Sequence, residues 1–208
     1  MAHRSLLRHV VALAGLTLVA CGGDNGPSAP APSGGTVTDV AAADLRYLRE
    51  EEKLARDVYR TLFEQWKLKP HENISASEET HTTRVRDLLV SFGVADPVTD
   101  DTVGTFVNAD LRELYAGLVA TGKKSETASL EVGATVEDLD LRDIEQMKAR
   151  ASDANVLRTY AALQCGSRNH LRTFTAQLSA RGVTYAPRYI SAADFAGIVS
   201  ASNEKCAF

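Results

Sequence analysis

The chain has 208 residues, 44% of them hydrophobic, and its 23 Lys and Arg against 27 Asp and Glu give a net charge of −4. That length allows one domain with a sizeable core, and a mildly acidic chain without a basic patch argues against nucleic acid as a partner. The three cysteines, Cys21, Cys165 and Cys206, show no Cys-x-x-Cys spacing, which excludes the usual zinc and thiol-redox motifs.

Residues 1–21 read as a secretory leader, with Arg4 and Arg8 ahead of an apolar run from Val10 to Ala20. The run is shorter than the roughly 20 apolar residues of a comfortable transmembrane helix. It ends Leu18-Val19-Ala20-Cys21, which resembles the bacterial lipobox, where cleavage leaves Cys21 as a lipid-bearing N-terminus. The alternative is a plain leader cleaved near Ala20. Residues 22–38 are rich in Pro, Gly, Ser and Ala and form a flexible tether with no capacity for a core. Losing Arg4 and Arg8 leaves 21 basic residues against 27 acidic ones, a mature charge of −6. The expected location is the cell envelope, on the periplasmic or outer-membrane face, with the membrane as partner through the lipid on Cys21. In such an oxidising compartment Cys165 and Cys206 can pair and tie the tail to the last long helix.

The folded part is expected over residues 39–182, with a C-terminal extension over 183–208. A first helix over about 40–66 has the inner stripe Leu45, Leu48, Glu52, Ala55, Tyr59, Leu62, spaced three and four throughout. Glu52 stands where an apolar residue belongs, while Glu50, Glu51, Lys53 and Arg56 read as a solvated face with helical ion pairs. A slightly rotated stripe of Leu54, Val58 and Leu62 is the competing reading. Pro70 separates this helix from a second over about 72–92, with Gly93 as its end signal and the stripe Ile74, Glu78, His81, Val85, Leu88, Phe92. Glu78 and His81 share one face, one turn apart. Ser75-Ala76-Ser77-Glu78 also fits a capping box, which would start the helix at Ser75.

A loop over 95–107 leads to a short helix over 109–121, capped by Asn108 and made of packing residues. So long a connection suits a crossover between two helix hairpins. The third long helix runs from about Ser125 past Leu141, kinked near 138–140 and continuing to Arg150, with the stripe Leu130, Ala134, Glu137, Leu141, Ile144. Asp140 is a further candidate ligand, or alternatively the cap of a separate helix with Glu137 solvated. Asp153 caps the fourth, which ends at Gly182 and carries Val156, Tyr160, Leu163, Ser167, His170, Phe174, Leu178 on its inner stripe. Ser191 caps a last short helix over 192–200. Of five histidines, His3 and His9 lie in the leader and His71 is expected in a loop beside Pro70. The remaining two, His81 and His170, both fall on inner stripes. A buried carboxylate needs a partner, and four long helices each carrying a ligand-capable residue at core spacing point to a metal site.

These residues resemble the ferritin-like superfamily of ferritins and rubrerythrins. Glu52, Ala55 and Tyr59 match the first-helix Glu-x-x-Ala-x-x-x-Tyr, Glu78 and His81 the second-helix Glu-x-x-His, and Gly133 and Glu137 the third-helix pattern of rubrerythrin-like members. On the fourth helix Ser167-Arg168-Asn169-His170 keeps the histidine and loses the carboxylate. The stretch 44–178 is most similar to the family called domain of unknown function 2202, through the strings Glu51-Glu52-Lys53-Leu54-Ala55-Arg56-Asp57-Val58-Tyr59 and Gly166-Ser167-Arg168-Asn169-His170-Leu171. The resemblance implies an all-α, ferritin-like, up-down four-helix bundle, with a long crossover containing a short helix and a short C-terminal helix. It implies a metal site of Glu52, Glu78, His81, Glu137 and His170, with Asp140 as a substitute for the missing carboxylate. In it Glu52, Glu78 and His81 hold one ion, Glu137 bridges, and His170 holds the second.

Carboxylate and imidazole ligands suit two iron ions, with manganese or zinc as alternatives. Tyr59 and Tyr160 would neighbour the ligands and pass electrons or simply pack. The expected function is a di-iron carboxylate protein outside the cytoplasm that oxidises ferrous iron or reduces dioxygen or peroxide. The alternative is a metal-free, lipid-tethered helical binding module in the cell envelope. A homodimer is compatible with either reading.

Overall fold

The computed structural model describes residues 37–207. The leader, Cys21 and the tether up to residue 36 lie outside the described residues. Those described form six helices and no strand: α1 (Asp39–Trp66), α2 (Lys69–Ser91), α3 (Ala109–Gly122), α4 (Glu126–Lys148), α5 (Ala154–Ser179) and α6 (Ala192–Ser200). Most starts are set by a short polar side chain accepting from the first free amides. Thr38 does this for α1, Asn108 for α3, Ser125 for α4, Asp153 for α5 and Ser191 for α6. At the end of α2, Gly93 takes φ 66° and Val94 N–H returns to the Leu89 carbonyl at 2.9 Å, a left-handed stop that glycine adopts without strain.

The start of α2 differs from expectation. Pro70 lies inside its first turn, where the missing amide has no helical partner to lose. Ser75 is therefore within the helix, its hydroxyl donating to the Glu72 carbonyl at 2.8 Å, and no capping box forms. His71 is carried into the core rather than left in a loop.

The long helices α1, α2, α4 and α5 form a bundle. α1 packs on α2 and α4 on α5, and the α1–α4 and α2–α5 faces close the ring. Only Lys67 and Leu68 link α1 to α2, so these run antiparallel. The connection from α2 to α4 contains α3, which packs on α1 and α4.

Two apolar clusters fill the bundle. One includes Tyr59, Leu62, Ile74, Leu130, Phe174 and Leu178; the other includes Leu45, Leu48, Val85, Ile144, Tyr160 and Leu163. On each long helix the inner residues between the two clusters are polar: Glu52, then Glu78 and His81, then Glu137 and Asp140, then Ser167 and His170.

The middle of α1 is buried all round, residues 48–59 inclusive, so the face read as solvated is not. Residues 101–108 of the crossover lie over it. Lys53 Nζ donates to the carbonyls of Thr102 at 2.9 Å and Thr105 at 3.1 Å and pairs with Asp57 at 2.6 Å. Arg56 pairs with Asp57, Glu79 and Asp101 at 2.9, 3.0 and 2.7 Å. Glu50 accepts the amides of Val107 and Asn108 at 2.5 and 3.1 Å.

α4 runs without interruption through the expected kink. Asp138 is instead fully buried and accepts the Tyr185 hydroxyl and the amides of Arg188, Tyr189 and Ile190, at 2.9, 2.6, 3.2 and 2.9 Å. It pins the extended strip before α6. Beyond α6, Glu204 pairs with Arg168 and Arg172, and a disulfide joins Cys206 to Cys165. No helix among the described residues is long and apolar enough to cross a membrane.

Candidate metal centre

The polar layer between the clusters gathers the expected ligands into two groups able to hold a metal ion. Glu52, Glu78 and His81 form one and Glu78, Glu137 and His170 the other, each offering donor atoms within 4.8 Å of one another, all buried. Glu78 belongs to both. The residue shared between the two is therefore Glu78 of α2 and not Glu137 of α4, which sits in the second triad alone.

Both imidazoles turn Nδ1 toward the carboxylates. His81 Nδ1 lies 2.9 Å from Glu78 Oε2 and 3.2 Å from Glu52 Oε2. His170 Nδ1 lies 2.7 Å from Glu78 Oε1 and 3.4 Å from Glu137 Oε2. The rings stand 5.5 Å apart, nearly parallel. His170 Nε2 faces outward to the Ser77 hydroxyl at 3.0 Å, a contact of the kind that fixes tautomer and ring orientation in ligating histidines. His81 has its ring edge against α5 at Gly166, where a Cβ would come within 2.6 Å of Cε1 and Nε2. Any larger residue there would move the ring. Gly133 plays a similar part for packing, since a Cβ would meet the Phe174 ring at 2.4 Å.

Tyr59 donates to Glu137 Oε1 at 2.5 Å. Tyr160 is buried in the second cluster, two turns of α5 before Ser167, where Asp44 and Arg150 are the charges that act on it. Asp140 faces the triads from α4. Its Oδ2 accepts the Ser167 hydroxyl, so Ser167 of α5 orients a carboxylate from the neighbouring helix. His71, missed as a core residue, is fully buried, contacts Ser129 Oγ through Nε2 at 3.1 Å and stacks on Tyr59. Burial pushes it down to about 4 and keeps it neutral.

The electrostatics are those of excess negative charge in a dry space. Burial pushes Glu52 up to about 7, against the pull of His81. Burial also raises Glu137 and, with Glu52 and Glu137 facing it, holds Asp140 well above the usual carboxylate range. Glu78 goes the other way: its burial is outweighed by His81 and His170, which hold it ionised. The imidazoles respond in kind. Burial disfavours their charge, but the carboxylates win, pushing His170 up to about 10 and His81 well above its ordinary value. Without a metal, protons on the imidazoles balance the layer.

Two features show that this balance is incomplete and fits a metal better. Glu52 Oε1 and Asp140 Oδ1 are buried with no hydrogen-bond partner. Glu78 Oε1 and His170 Nδ1, though 2.7 Å apart, are not aligned for a hydrogen bond. Lone pairs that converge without a donor in line are what a cation needs. Five carboxylate and imidazole residues, with Asp140 beside them, suit a hard to borderline divalent ion.

Residues 41–202 match the family described as Uncharacterized protein domain (DUF2202), and the chain belongs to that family. It is 46% identical over 169 residues to Uncharacterized protein MJ0754 of Methanocaldococcus jannaschii, a match covering 81% of this chain and 91% of that protein. The crystal structure of hypothetical protein MJ0754 from Methanococcus jannaschii DSM 2661 shares the fold, with a TM-score of 0.81 and 42% identity. That likeness covers 85% of this chain and 99% of the solved one.

Proposed function

We propose that the protein is a ferritin-like dimetal protein of the cell envelope, anchored through Cys21, whose two triads hold a pair of metal ions, most naturally iron. The observation that carries the reading is Glu78, one buried carboxylate offering an oxygen to each triad. When bound, a di-iron pair would supply the electrons that reduce dioxygen or peroxide, or would be the ferrous iron that is oxidised. The chain's own residues prepare for that chemistry. The apolar clusters on either side exclude water. Ser77 fixes His170, Ser167 fixes Asp140, and Tyr59 holds a proton at Glu137 Oε1. The leader and the disulfide point independently to an oxidising location.

Elemental analysis of the full chain, purified without chelator or histidine tag, tests this. About two ions per chain are expected in the native protein. Because Glu78 serves both triads, Glu78→Ala should lose both ions, while Glu52→Ala and Glu137→Ala should each lose about one. Unchanged metal in Glu78→Ala, with helicity intact by circular dichroism, would sink the reading. The second reading, a metal-free binding module, draws on Ser167 standing where a ligand carboxylate is expected. It predicts no metal even after anaerobic ferrous loading, and a fold that tolerates apolar replacements of His81 and His170.

A further inference from the structure

Around the polar layer, three of the four long helices are shut off from solvent. Residues 48–59 of α1, 132–141 of α4 and 162–167 of α5 are buried without a break. The crossover, the strip before α6 and the tail lie over them. Above and below the layer, the two apolar clusters fill the bundle. α2 is different. In the turns that carry Glu78 and His81 it leaves Ala76 and Thr80 exposed and Ser77 and Glu79 half-buried. Glu79 closes the side toward α1 by pairing with Arg56 and Arg60 at 3.0 and 2.8 Å. On the side toward α5 stands Ser77, a small side chain whose hydroxyl meets His170 Nε2 at 3.0 Å. His170 is correspondingly the most open member of the triads. Its side chain is 10% exposed, against 1% or 2% for Glu52, Glu78, His81 and Glu137. A buried metal centre needs an entry path, and one side chain changes rotamer far faster than packed helices move apart.

We propose that divalent ions enter and leave the two triads sideways, through the α2–α5 seam, with Ser77 at the mouth and His170 as the side chain that swings aside. The proposal rests on the dimetal reading and adds the route to it. Glu78 lies directly behind the ring, its Oε1 2.7 Å from His170 Nδ1. An ion that passes His170 therefore arrives first at the residue shared by both triads. Asp140, 6% exposed on α4, marks the competing way in.

The probe is Mn2+, added to the chelator-stripped full chain, with uptake followed by loss of the free-ion signal in electron paramagnetic resonance. Release is followed by adding EDTA to the loaded protein and measuring the metal that remains after desalting. Ser77→Ala removes the hydroxyl and leaves the mouth open; Ser77→Leu removes it and fills the mouth. Both lose the same hydrogen bond to a ligating histidine, so any weakening of affinity is shared. Ser77→Leu should nevertheless take up and release Mn2+ about tenfold more slowly than Ser77→Ala, because a blocked passage slows both directions alike. Equal exchange rates in the two variants, with two ions bound, would overturn the port and leave the dimetal centre standing. Slower uptake in Ser77→Leu with unchanged release, and weaker binding to match, would overturn it too, since that is the mark of a displaced His170. A wild type that binds no Mn2+ overturns the port and the dimetal reading together.

Discussion

At the scale of single residues, the centre is governed by which groups carry protons when no metal is present. Glu52 is pushed up from 4.5 to about 7 and His170 from 6.5 to about 10. Both are raised in the folded state, so each contributes stability that is fully present below its ordinary value and is lost as pH climbs to its raised one. His71, depressed from 6.5 to about 4, has the opposite sign: its contribution is present above 6.5 and lost as pH falls toward 4. Above pH 6.5, therefore, only the losses operate. A metal ion replaces the protons that are lost, so its binding strengthens over the same window. The melting temperature in EDTA should fall between pH 6.5 and 9, and the gap between Mn2+-loaded and metal-free samples should widen. Melting curves that stay parallel across that range would show that His81 and His170 are not ligands. The Glu78-x-x-His81 pair was legible from spacing alone, because three residues make one turn on any helix. That Glu78 rather than Glu137 is shared was not, since sharing depends on how far α4 and α5 are rotated against α2. Asp140 could be named as a candidate, but the Ser167 hydroxyl that orients it comes from another helix.

At the scale of elements, the four inner stripes read from periodicity are buried as expected, Phe92 alone being only partly covered. The outer face of α1 is where periodicity misled. Glu50, Lys53 and Arg56, three residues apart and of mixed charge, have the pattern of a solvated helix face. They are buried because the crossover returns over them, and no local signal in residues 50–57 announces a loop fifty residues later. His71 was misplaced for a related reason: Pro70 was read as a break, although proline is equally at home in a first turn. Where a kink is expected near 138–140, α4 is continuous and Asp138 is buried. Its four acceptor contacts explain it, and they make it a sharp test of what holds the strip before α6. Asp138→Ala would leave one hydroxyl and three amides without their acceptor, a loss of about 2–4 kcal/mol in urea unfolding. Limited proteolysis of the same variant should cut first within residues 185–191. A variant as stable and as resistant as wild type would mean that the strip is held by the packing of Tyr185 and Phe195 rather than by Asp138.

At the scale of the whole molecule, the bundle is closed by a tail that contributes nothing to the triads and much to the constraint on the chain. The Cys165–Cys206 disulfide spans 41 residues and is joined by Glu204, which pairs with Arg168 at 2.5 Å and Arg172 at 2.8 Å. The two cysteines already suggest a tie between the tail and the last long helix; α6, packed on α5, brings the tail back to make it. Surface ion pairs of the Glu204 kind are worth little singly. The covalent bond acts chiefly on the unfolded chain, and a loop of that length corresponds to about 4 kcal/mol by loop-closure entropy. Cys206→Ser should therefore unfold at lower urea by that order, and dithiothreitol should bring the wild type to the same midpoint while leaving the variant unmoved. Metal content should be unaffected, because Cys165 and Cys206 offer no ligand to either triad. A wild type whose midpoint ignores dithiothreitol would show that the two thiols are not joined in solution. That result would also remove one of the two supports for an oxidising location, leaving the leader sequence to carry it.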